Sequence, residues 1–391
     1  MKRQSGVKGP RMFLNTLLQF RFWKLLPLCL LLSTRTVGAP QSESWPEEGS
    51  NQPKIRMGII RCDTHGMYYG PLMGRHDPYR LRDPLEGTDF KAHYSWQTGG
   101  THFCFYRSYY QPDRMTVPHV EGFVVATVWD EHPDAAQAAA RVFLEPPIVC
   151  KTFEEVSDGV DMVLVADCNY DGSDHLELAT PSLKKGVPTF VDKPFAGTYK
   201  DAAAMVELAR KHGTPLLSLS LLRVEPQVAQ FKNRFPEIGT VQFGVIRGGW
   251  DSLAGQIHAI AAAQHLFGPG VEKVESMGKY PLAYVHLDYG NRPDRPNDGV
   301  MLLCASGGGS FDSQYSASVY NDRGMLHSPM FADEQHPYAA VEVLNLCRQM
   351  VQTNQPPVPY EEMLEQIAIV DAARLAHKEK RSVALKEVMN R

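Results

Sequence analysis

Short apolar runs alternate with amphipathic stretches over the first half of the chain. The apolar runs at 55–60, 122–129, 161–166, 187–191 and 215–222 predict strands. The stretches at 134–143, 173–185 and 200–212 predict helices between them. Strands that alternate with helices at these intervals indicate βαβ units, and therefore a parallel, doubly wound sheet.

The pattern changes after residue 223. Strand-like segments at 240–246, 271–277, 299–304 and 310–320 follow one another with glycine-rich turns. Helices are predicted at 253–267, 338–353 and 360–379. We therefore expect an α/β protein with a Rossmann-type, doubly wound parallel sheet over 54–223. An α+β domain with a mostly antiparallel open sheet should follow over 224–391.

An insertion at 75–119 separates the first predicted helix from the second strand, where such folds usually need only a few residues. It is rich in aromatic residues, among them Trp96, Phe105 and Tyr106. Two interpretations stay open at this point. The insertion covers a substrate cleft or a subunit contact, since sugars stack on aromatic faces, or it is a surface excursion that packs on itself.

The first 39 residues have the layout of a secretory signal. They hold seven basic and no acidic residues, an apolar run at 25–32, and small residues at 37–39. The run is much shorter than the roughly 20 apolar residues that span a bilayer, so no permanent membrane anchor is expected. We predict a signal peptide over 1–39, a flexible lead-in over 40–53, and export to the periplasm or the extracellular space. An uncleaved helix at the membrane surface is the alternative.

Charge and cysteine spacing exclude several classes of partner. Removal of the predicted signal changes the formal charge from −4 to −11. So acidic a protein is not expected to bind nucleic acid or anionic membranes. No cluster of cysteine and histidine has the spacing of a zinc site, so no metal is predicted.

The stretch from Asp161 to Glu225 resembles the glucose–fructose oxidoreductase/inositol dehydrogenase (Gfo/Idh/MocA) family. It contains a strand, a helix with His175, the sequence LKKGVPTFVDKPFAG, a helix and a strand. The order of elements in the second half is also similar to that family. The resemblance implies a nicotinamide-dependent oxidoreductase that acts on a sugar, a polyol or a glycoside.

The motif Asp192-Lys193-Pro194 is the centre of this resemblance. A lysine at the carboxyl end of a parallel strand points into the crevice where α/β sheets bind ligands. There it can donate to a substrate oxygen and relay its proton. Lys193 is therefore predicted to be catalytic, and the resemblance also places Asp192 and Lys193 at the cofactor. A surface lysine beside a turn is the alternative.

The turn after the first strand departs from the family pattern. Where the family has Gly-x-Gly-x-x-Gly, this chain has Arg61-Cys62-Asp63-Thr64-His65-Gly66, in which only the third glycine is kept. Thr64, His65 and Gly66 are predicted to bind the cofactor. Asp63 would repel the pyrophosphate unless it caps the helix, and Arg61 or His65 would offset phosphate charge. Loss of nucleotide binding is the alternative.

Asp130 ends the second strand, where such folds place the acidic residue that binds the ribose 2′-hydroxyl. A carboxylate there favours NAD over NADP, because it repels the 2′-phosphate of NADP. NAD is therefore the predicted cofactor. A helix N-cap is the alternative role of Asp130.

His258 matches the family's catalytic histidine, which lies ten residues before a glycine, here Gly268. The family usually has an aspartate four residues before this histidine, but this chain has Ala254. His258 is predicted to act as a general base. A core histidine with a satisfied hydrogen bond is the alternative.

Taken together, the sequence predicts an exported, homo-oligomeric NAD-dependent oxidoreductase in which Lys193 relays a proton. Two alternatives stay open. One is a non-catalytic carbohydrate-binding or scaffolding protein on the same fold, which the altered turn and the missing acid favour. The other is a glycoside-cleaving enzyme that works by transient oxidation.

Overall fold

The computed structural model describes residues 54–62, 65–93, 96, 100–106, 114–166, 169–249, 252–304, 315–331 and 335–390. The predicted leader at 1–39 and lead-in at 40–53 lie outside these residues, as do Asp63 and Thr64. The predictions made for them therefore stay predictions.

Six parallel strands form the first sheet. They are β1 (Ile55–Ile60), β2 (Phe123–Trp129), β3 (Ile148–Val149), β4 (Met162–Val165), β5 (Thr189–Val191) and β6 (Leu216–Leu217). Their spatial order is β3-β2-β1-β4-β5-β6, and every neighbouring pair is parallel. This is the order of the doubly wound nucleotide-binding sheet, and the strand order reverses between β1 and β4. The predicted Rossmann-type sheet is confirmed.

Helices cover both faces of this sheet. They are α1 (Gly66–Met73), α2 (Pro78–Arg82), α3 (Gly100–Phe105), α4 (Pro133–Val142), α5 (His175–Lys184) and α6 (Tyr199–His212). The apolar side chains of α1 and α4 belong to one buried cluster, and those of α5 and α6 belong to another. Both faces of the strands are therefore buried, which explains why β4 is continuously apolar.

Seven strands form the second sheet. They are β7 (Phe243–Arg247), β8 (Lys273–Met277), β9 (Tyr284–Asp288), β10 (Val300–Leu303), β11 (Ser316–Asn321), β12 (Gly324–His327) and β13 (Val383–Ala384). The order is β12-β11-β7-β10-β9-β8-β13, and all neighbours are antiparallel except β7 and β10. The mostly antiparallel second sheet is thus also confirmed.

Five further helices complete the described chain. They are α7 (Pro226–Asn233), α8 (Leu253–Phe267), α9 (His336–Thr353), α10 (Tyr360–Glu379) and α11 (Leu385–Met389). Helices α8 and α10 pack on one face of the second sheet. Residues 52–391 form one compact unit. No helix in the described part of the chain is long and apolar enough to cross a membrane.

The aromatic insertion is packed into the first half of the molecule. Trp96 is fully buried, and Phe105 and Tyr106 are buried with it in the apolar cluster that contains α1 and α4. The indole Nε1 of Trp96 donates a hydrogen bond of 2.5 Å to the carbonyl of Cys62, in the turn after β1. The insertion therefore supports the turn that the sequence assigns to the cofactor.

Candidate active site

The candidate site lies at the carboxyl edge of the parallel sheet. The loops after β1, β4, β5 and β6 meet there, and the start of α8 joins them through a 3.0 Å hydrogen bond from the amide of Ala254 to the carbonyl of Tyr170. Ligands of open α/β sheets bind outside the carboxyl ends of the strands, at the point where the strand order reverses. The fold thus brings α8 of the second half to the edge where such ligands bind.

Asp192 and Lys193 follow β5 and are both buried. The carboxylate of Asp192 contacts Nδ1 of His65, the residue before α1. Burial alone would raise the pKa of Asp192, but His65, through its charge and hydrogen bond, and Lys193 hold that pKa below its usual value. Asp192 is therefore ionised at neutral pH and counterbalances the basic groups around it.

The ammonium group of Lys193 reaches the start of α8. Its Nζ donates to the carbonyl oxygen of Ala254 over 3.1 Å, and the peptide bond between Lys193 and Pro194 is cis. Ala254 stands where the family usually has an aspartate, and here its main-chain oxygen accepts the hydrogen bond of Lys193. Lys193 is thus a buried cation in the crevice rather than a surface lysine beside a turn.

His258 lies one turn further along α8 and is also buried. Its Nδ1 is 2.6 Å from Oγ of Ser220, and its ring packs against Tyr315 at 5.5 Å between centroids. Burial lowers the pKa of His258 well below its usual value, and three basic neighbours lower it further. Those neighbours are Lys193, His336 and His65. His258 is therefore neutral at pH 7 and is a weak proton acceptor.

Three polar residues of this region were not predicted from the sequence. Ser220 follows β6 as Lys193 follows β5, so a survey of polar residues at strand ends would have found it. His336 begins α9, and its Nδ1 is 2.9 Å from Oε2 of Glu225. Nothing in the local sequence connects these two residues, because 111 positions separate them.

Two described residues of the turn after β1, Arg61 and Gly66, have backbone features of a glycine-rich turn. Arg61 occupies the place of the first glycine with φ of 74°, in the left-handed region that glycine favours. A Cβ atom on Gly66 would lie 2.3 Å from the carbonyl oxygen of Arg61, so α1 can approach the turn only with glycine at this position. This is the close packing that the third glycine of the family motif provides.

The side chain of Arg61 crosses the crevice. Its guanidinium is 2.5 Å from the carboxylate of Glu131, after β2, and 2.7 Å from that of Asp174, at the start of α5. It also lies over the ring of Trp129, at 5.9 Å from the centroid. Because β1 is flanked by β2 and β4, this bridge spans the edge of the sheet on which an adenosine would rest.

Asp130 holds the turn in place. One carboxylate oxygen accepts the amide of Cys62 at 2.7 Å, and the other accepts the amide of His132 at 2.8 Å. His132 is the N-cap residue of α4. The cap of α4 has no side-chain hydrogen bond, so Asp130 is not the helix N-cap that was its alternative role. Its predicted contact with a ribose hydroxyl stays a prediction.

These residues fit a dinucleotide once Arg61 has moved. The glycine-type turn, the acid that ends β2 and the crevice beside Lys193 and His258 are all present at the expected edge of the sheet. In this structure the guanidinium of Arg61 lies between the loops after β2 and β4, so a ligand that occupied this place would displace it from its carboxylates. Among the described residues, no group of three His, Cys, Asp or Glu side chains could hold a metal ion.

Comparison with known proteins agrees with this geometry. Residues 106–219 match the family model GFO_IDH_MocA, described as an oxidoreductase family with an NAD-binding Rossmann fold. The D-apiose dehydrogenase of Paraburkholderia graminis is 23% identical over 324 residues, which cover 69% of this chain and 85% of that protein.

Residues 106–219 are thus similar to the Gfo/Idh/MocA oxidoreductase family. The resemblance read from Asp192-Lys193-Pro194 and its surroundings is therefore confirmed. So are the predictions, made at the level of the family, of an oxidoreductase and of NAD as the cofactor.

Solved structures show the same fold. A probable dehydrogenase from Thermotoga maritima has a TM-score of 0.60 at 16% identity, over 85% of this chain and all of that one. The scyllo-inositol dehydrogenase from Lactobacillus casei, crystallised with NAD(H) and scyllo-inositol, has a TM-score of 0.61 at 12% identity, over 85% and 99% of the two chains. At such identities the likeness shows the fold and leaves the substrate open.

Proposed function

We propose that this protein is an NAD-dependent dehydrogenase of a sugar or polyol, with Lys193 at the reacting oxygen. The observation that carries the proposal is the buried ammonium of Lys193 beside His258, at the carboxyl edge of a doubly wound sheet. When bound, NAD⁺ accepts a hydride from the substrate carbon. The relatives named above act on D-apiose and scyllo-inositol, which are polyhydroxylated substrates of this class.

Side chains of the crevice bind the substrate hydroxyl groups and stabilise the charge that develops on the reacting oxygen. Lys193 donates to the hydroxyl oxygen of the substrate in place of the carbonyl of Ala254, and stabilises the negative charge that develops when the hydroxyl loses its proton. Asp192, buried and ionised, balances the charges of Lys193 and His65. His258 is neutral and is held in one orientation by Ser220, so it can hydrogen-bond a second hydroxyl group.

The test is reduction of NAD⁺ by the purified protein, followed at 340 nm. The substrates are D-apiose, scyllo-inositol, myo-inositol, other common aldoses and a p-nitrophenyl glycoside. We expect NADH to form with at least one polyol or aldose. Release of p-nitrophenol would instead support glycoside cleavage by transient oxidation. An absence of NADH and of NAD⁺ binding would contradict the proposal.

A non-catalytic carbohydrate-binding protein is the second candidate. The bridge that Arg61 makes between Glu131 and Asp174 favours it, because the bridge lies where the adenosine would rest. The carbonyl of Ala254 in place of a carboxylate favours it too. Binding of a panel sugar with unchanged affinity in the absence and presence of NAD⁺, and without turnover, would support this candidate.

Export and self-association complete the proposal. Export rests on the basic, apolar and small-residue layout of residues 1–39, and predicts a mature protein that begins at Pro40.

Self-association rests on the second sheet, where α8 and α10 cover one face. The opposite face exposes large apolar side chains, among them Met277, Tyr284 and Met325. A second copy of the chain is the occupant we propose for it.

N-terminal sequencing of the protein recovered from the medium or the periplasm tests the export proposal. We expect the sequence Pro-Gln-Ser-Glu, starting at Pro40. Recovery of chains that begin near Met1 or Met12 would show that the leader is retained.

A further inference from the structure

A histidine–carboxylate pair from outside α8 lies beside the candidate site. His336 is the first residue of α9, and Glu225 follows the 3-10 turn Leu221–Arg223. Nδ1 of His336 is 2.9 Å from Oε2 of Glu225. The side chain of Glu225 is 0% exposed and that of His336 is 13% exposed. The imidazole is therefore the part of the pair that can meet a ligand.

The position of the pair connects it to the crevice. The 3-10 turn Leu221–Arg223 packs against both α8 and α9, and Ser220, just before it, holds His258. His336 lies close enough to His258 for its charge to act on that side chain, as the charge of Lys193 does. The turn thus connects the start of α9, which carries His336, to α8, which carries His258 and meets Lys193 at Ala254.

Glu225 is a costly residue to bury where it is. Oε2 contacts His336, but Oε1 is buried and has no hydrogen-bond partner among the residues that the structure describes. Burial of a carboxylate that is only half satisfied costs free energy that an apolar residue would not. Such a group is expected where it serves a function, and holding a histidine in one tautomer is a common one.

His258 lacks a carboxylate of this kind. Its Nδ1 pairs with the hydroxyl of Ser220, and Ala254 stands one turn before it in place of the family's aspartate. The neighbouring carboxylate Asp192 contacts His65 instead. A neutral, buried imidazole surrounded by basic groups accepts a proton poorly. Two histidines near the crevice do have a carboxylate partner. His65, with Asp192, lies at the turn assigned to the cofactor, which leaves His336, with Glu225, for the substrate.

We propose that His336, oriented by Glu225, accepts the proton of the substrate hydroxyl. This inference rests on the function proposed above. The O–H bond of the substrate breaks and its proton goes to Nε2 of His336. The adjacent C–H bond gives its hydrogen and electron pair to NAD⁺, and a C=O bond forms. The Nδ1–H group donates to Glu225, whose charge stabilises the imidazolium.

The experiment compares the variants His336→Ala, His258→Ala and Glu225→Gln with the wild type, on the panel compound that is oxidised fastest. General-base catalysis contributes about 100-fold or more. We expect His336→Ala to lose turnover by about that factor, with NADH binding unchanged as judged by fluorescence. Added imidazole should restore part of the turnover of His336→Ala, because the side chain that is removed is partly exposed in the wild type. Glu225→Gln should lower kcat more than it raises KM.

The controls separate failure of this inference from failure of the proposed function. His212→Ala, which changes an exposed histidine at the end of α6, should behave like the wild type. Full turnover of His336→Ala, or rescue by imidazole of His258→Ala alone, would overturn the role of His336 while leaving the dehydrogenase intact. A wild type that oxidises no compound would overturn both. If His336→Ala does not bind NADH, the kcat of Glu225→Gln decides: a wild-type value would overturn the inference.

Discussion

Lys193 is expected to be essential for turnover and to contribute little to the stability of the fold. It is buried, and among the described residues its ammonium donates a hydrogen bond to the carbonyl of Ala254. Lys193→Ala should therefore lower kcat/KM at least about 100-fold and leave the melting temperature within a few degrees of the wild type. Steady-state kinetics and thermal melts measure both. Lys185→Ala, at the end of α5, is the matched control. Full activity of Lys193→Ala would exclude the role at the reacting oxygen.

Arg61 separates two interpretations of the altered turn. If its guanidinium blocks the adenosine position, Arg61→Gly should tighten NAD⁺ binding several-fold and should also relieve a φ of 74° that costs arginine about 1 kcal/mol. If arginine binds the pyrophosphate instead, the same change should weaken binding. Because it pairs with Glu131 and Asp174, we expect tighter binding. Isothermal titration with NAD⁺ decides, and weaker binding would contradict the bridge as an obstacle.

At this scale the sequence predicted which residues meet, but not what each one contacts. Asp192, Lys193, His65 and His258 lie together, because strand ends and helix starts are readable from apolar runs. The contacts of Asp130 with two main-chain amides were not predictable, because they depend on the exact path of two loops. Glu225 was outside the predicted site for a related reason: its partner begins a helix 111 positions later.

A histidine of helix α8 should make the free energy of unfolding depend on pH. His265, near its end, contacts the carbonyl of Arg223, and burial lowers the pKa of His265 to about 4. The unfolded chain binds this proton near pH 6.5, so the free energy of unfolding should fall as the pH drops from about 6.5 to about 4, by roughly 1–3 kcal/mol from this residue.

The variant His265→Gln isolates this contribution. Glutamine keeps an N–H donor for the carbonyl of Arg223 but does not titrate, so the pH dependence of the unfolding free energy should be shallower by that amount. Urea denaturation between pH 7 and pH 4.5 measures it, with His212→Gln at the exposed end of α6 as the control. Identical slopes for the wild type and His265→Gln would show that His265 takes up its proton as readily in the folded protein.

The elements themselves were largely readable from the sequence, and the exceptions have physical causes. Helices α8 and α10 have the predicted bounds, because each carries a long apolar face between clear ends. Strand β6 is shorter than predicted, since the hydroxyl of Ser220 caps the 3-10 turn that follows it. Strands β9 and β12 were missed, because half of their residues face away from the core and interrupt the apolar pattern.

At the scale of the whole molecule, we predict self-association through the face of the second sheet that α8 and α10 do not cover. Val245 lies near the middle of this face, beside Met301 of the neighbouring strand β10. A lysine at 245 would bring a charge into the proposed interface without entering the core of the chain. We expect light scattering to give a multiple of the chain mass for the wild type and a single chain mass for Val245→Lys. A monomeric wild type would contradict self-association.

The central claim is that this fold still holds its nicotinamide cofactor although two glycines of the turn are missing. The most direct test is to denature the purified protein and to search the supernatant for NAD(H) by absorbance at 260 and 340 nm and by mass spectrometry. Protein from which none is recovered is then titrated with NADH and followed by fluorescence. We predict about one NAD(H) per chain, or saturable NADH binding that NAD⁺ displaces. Protein that carries no nicotinamide and binds none would contradict the account.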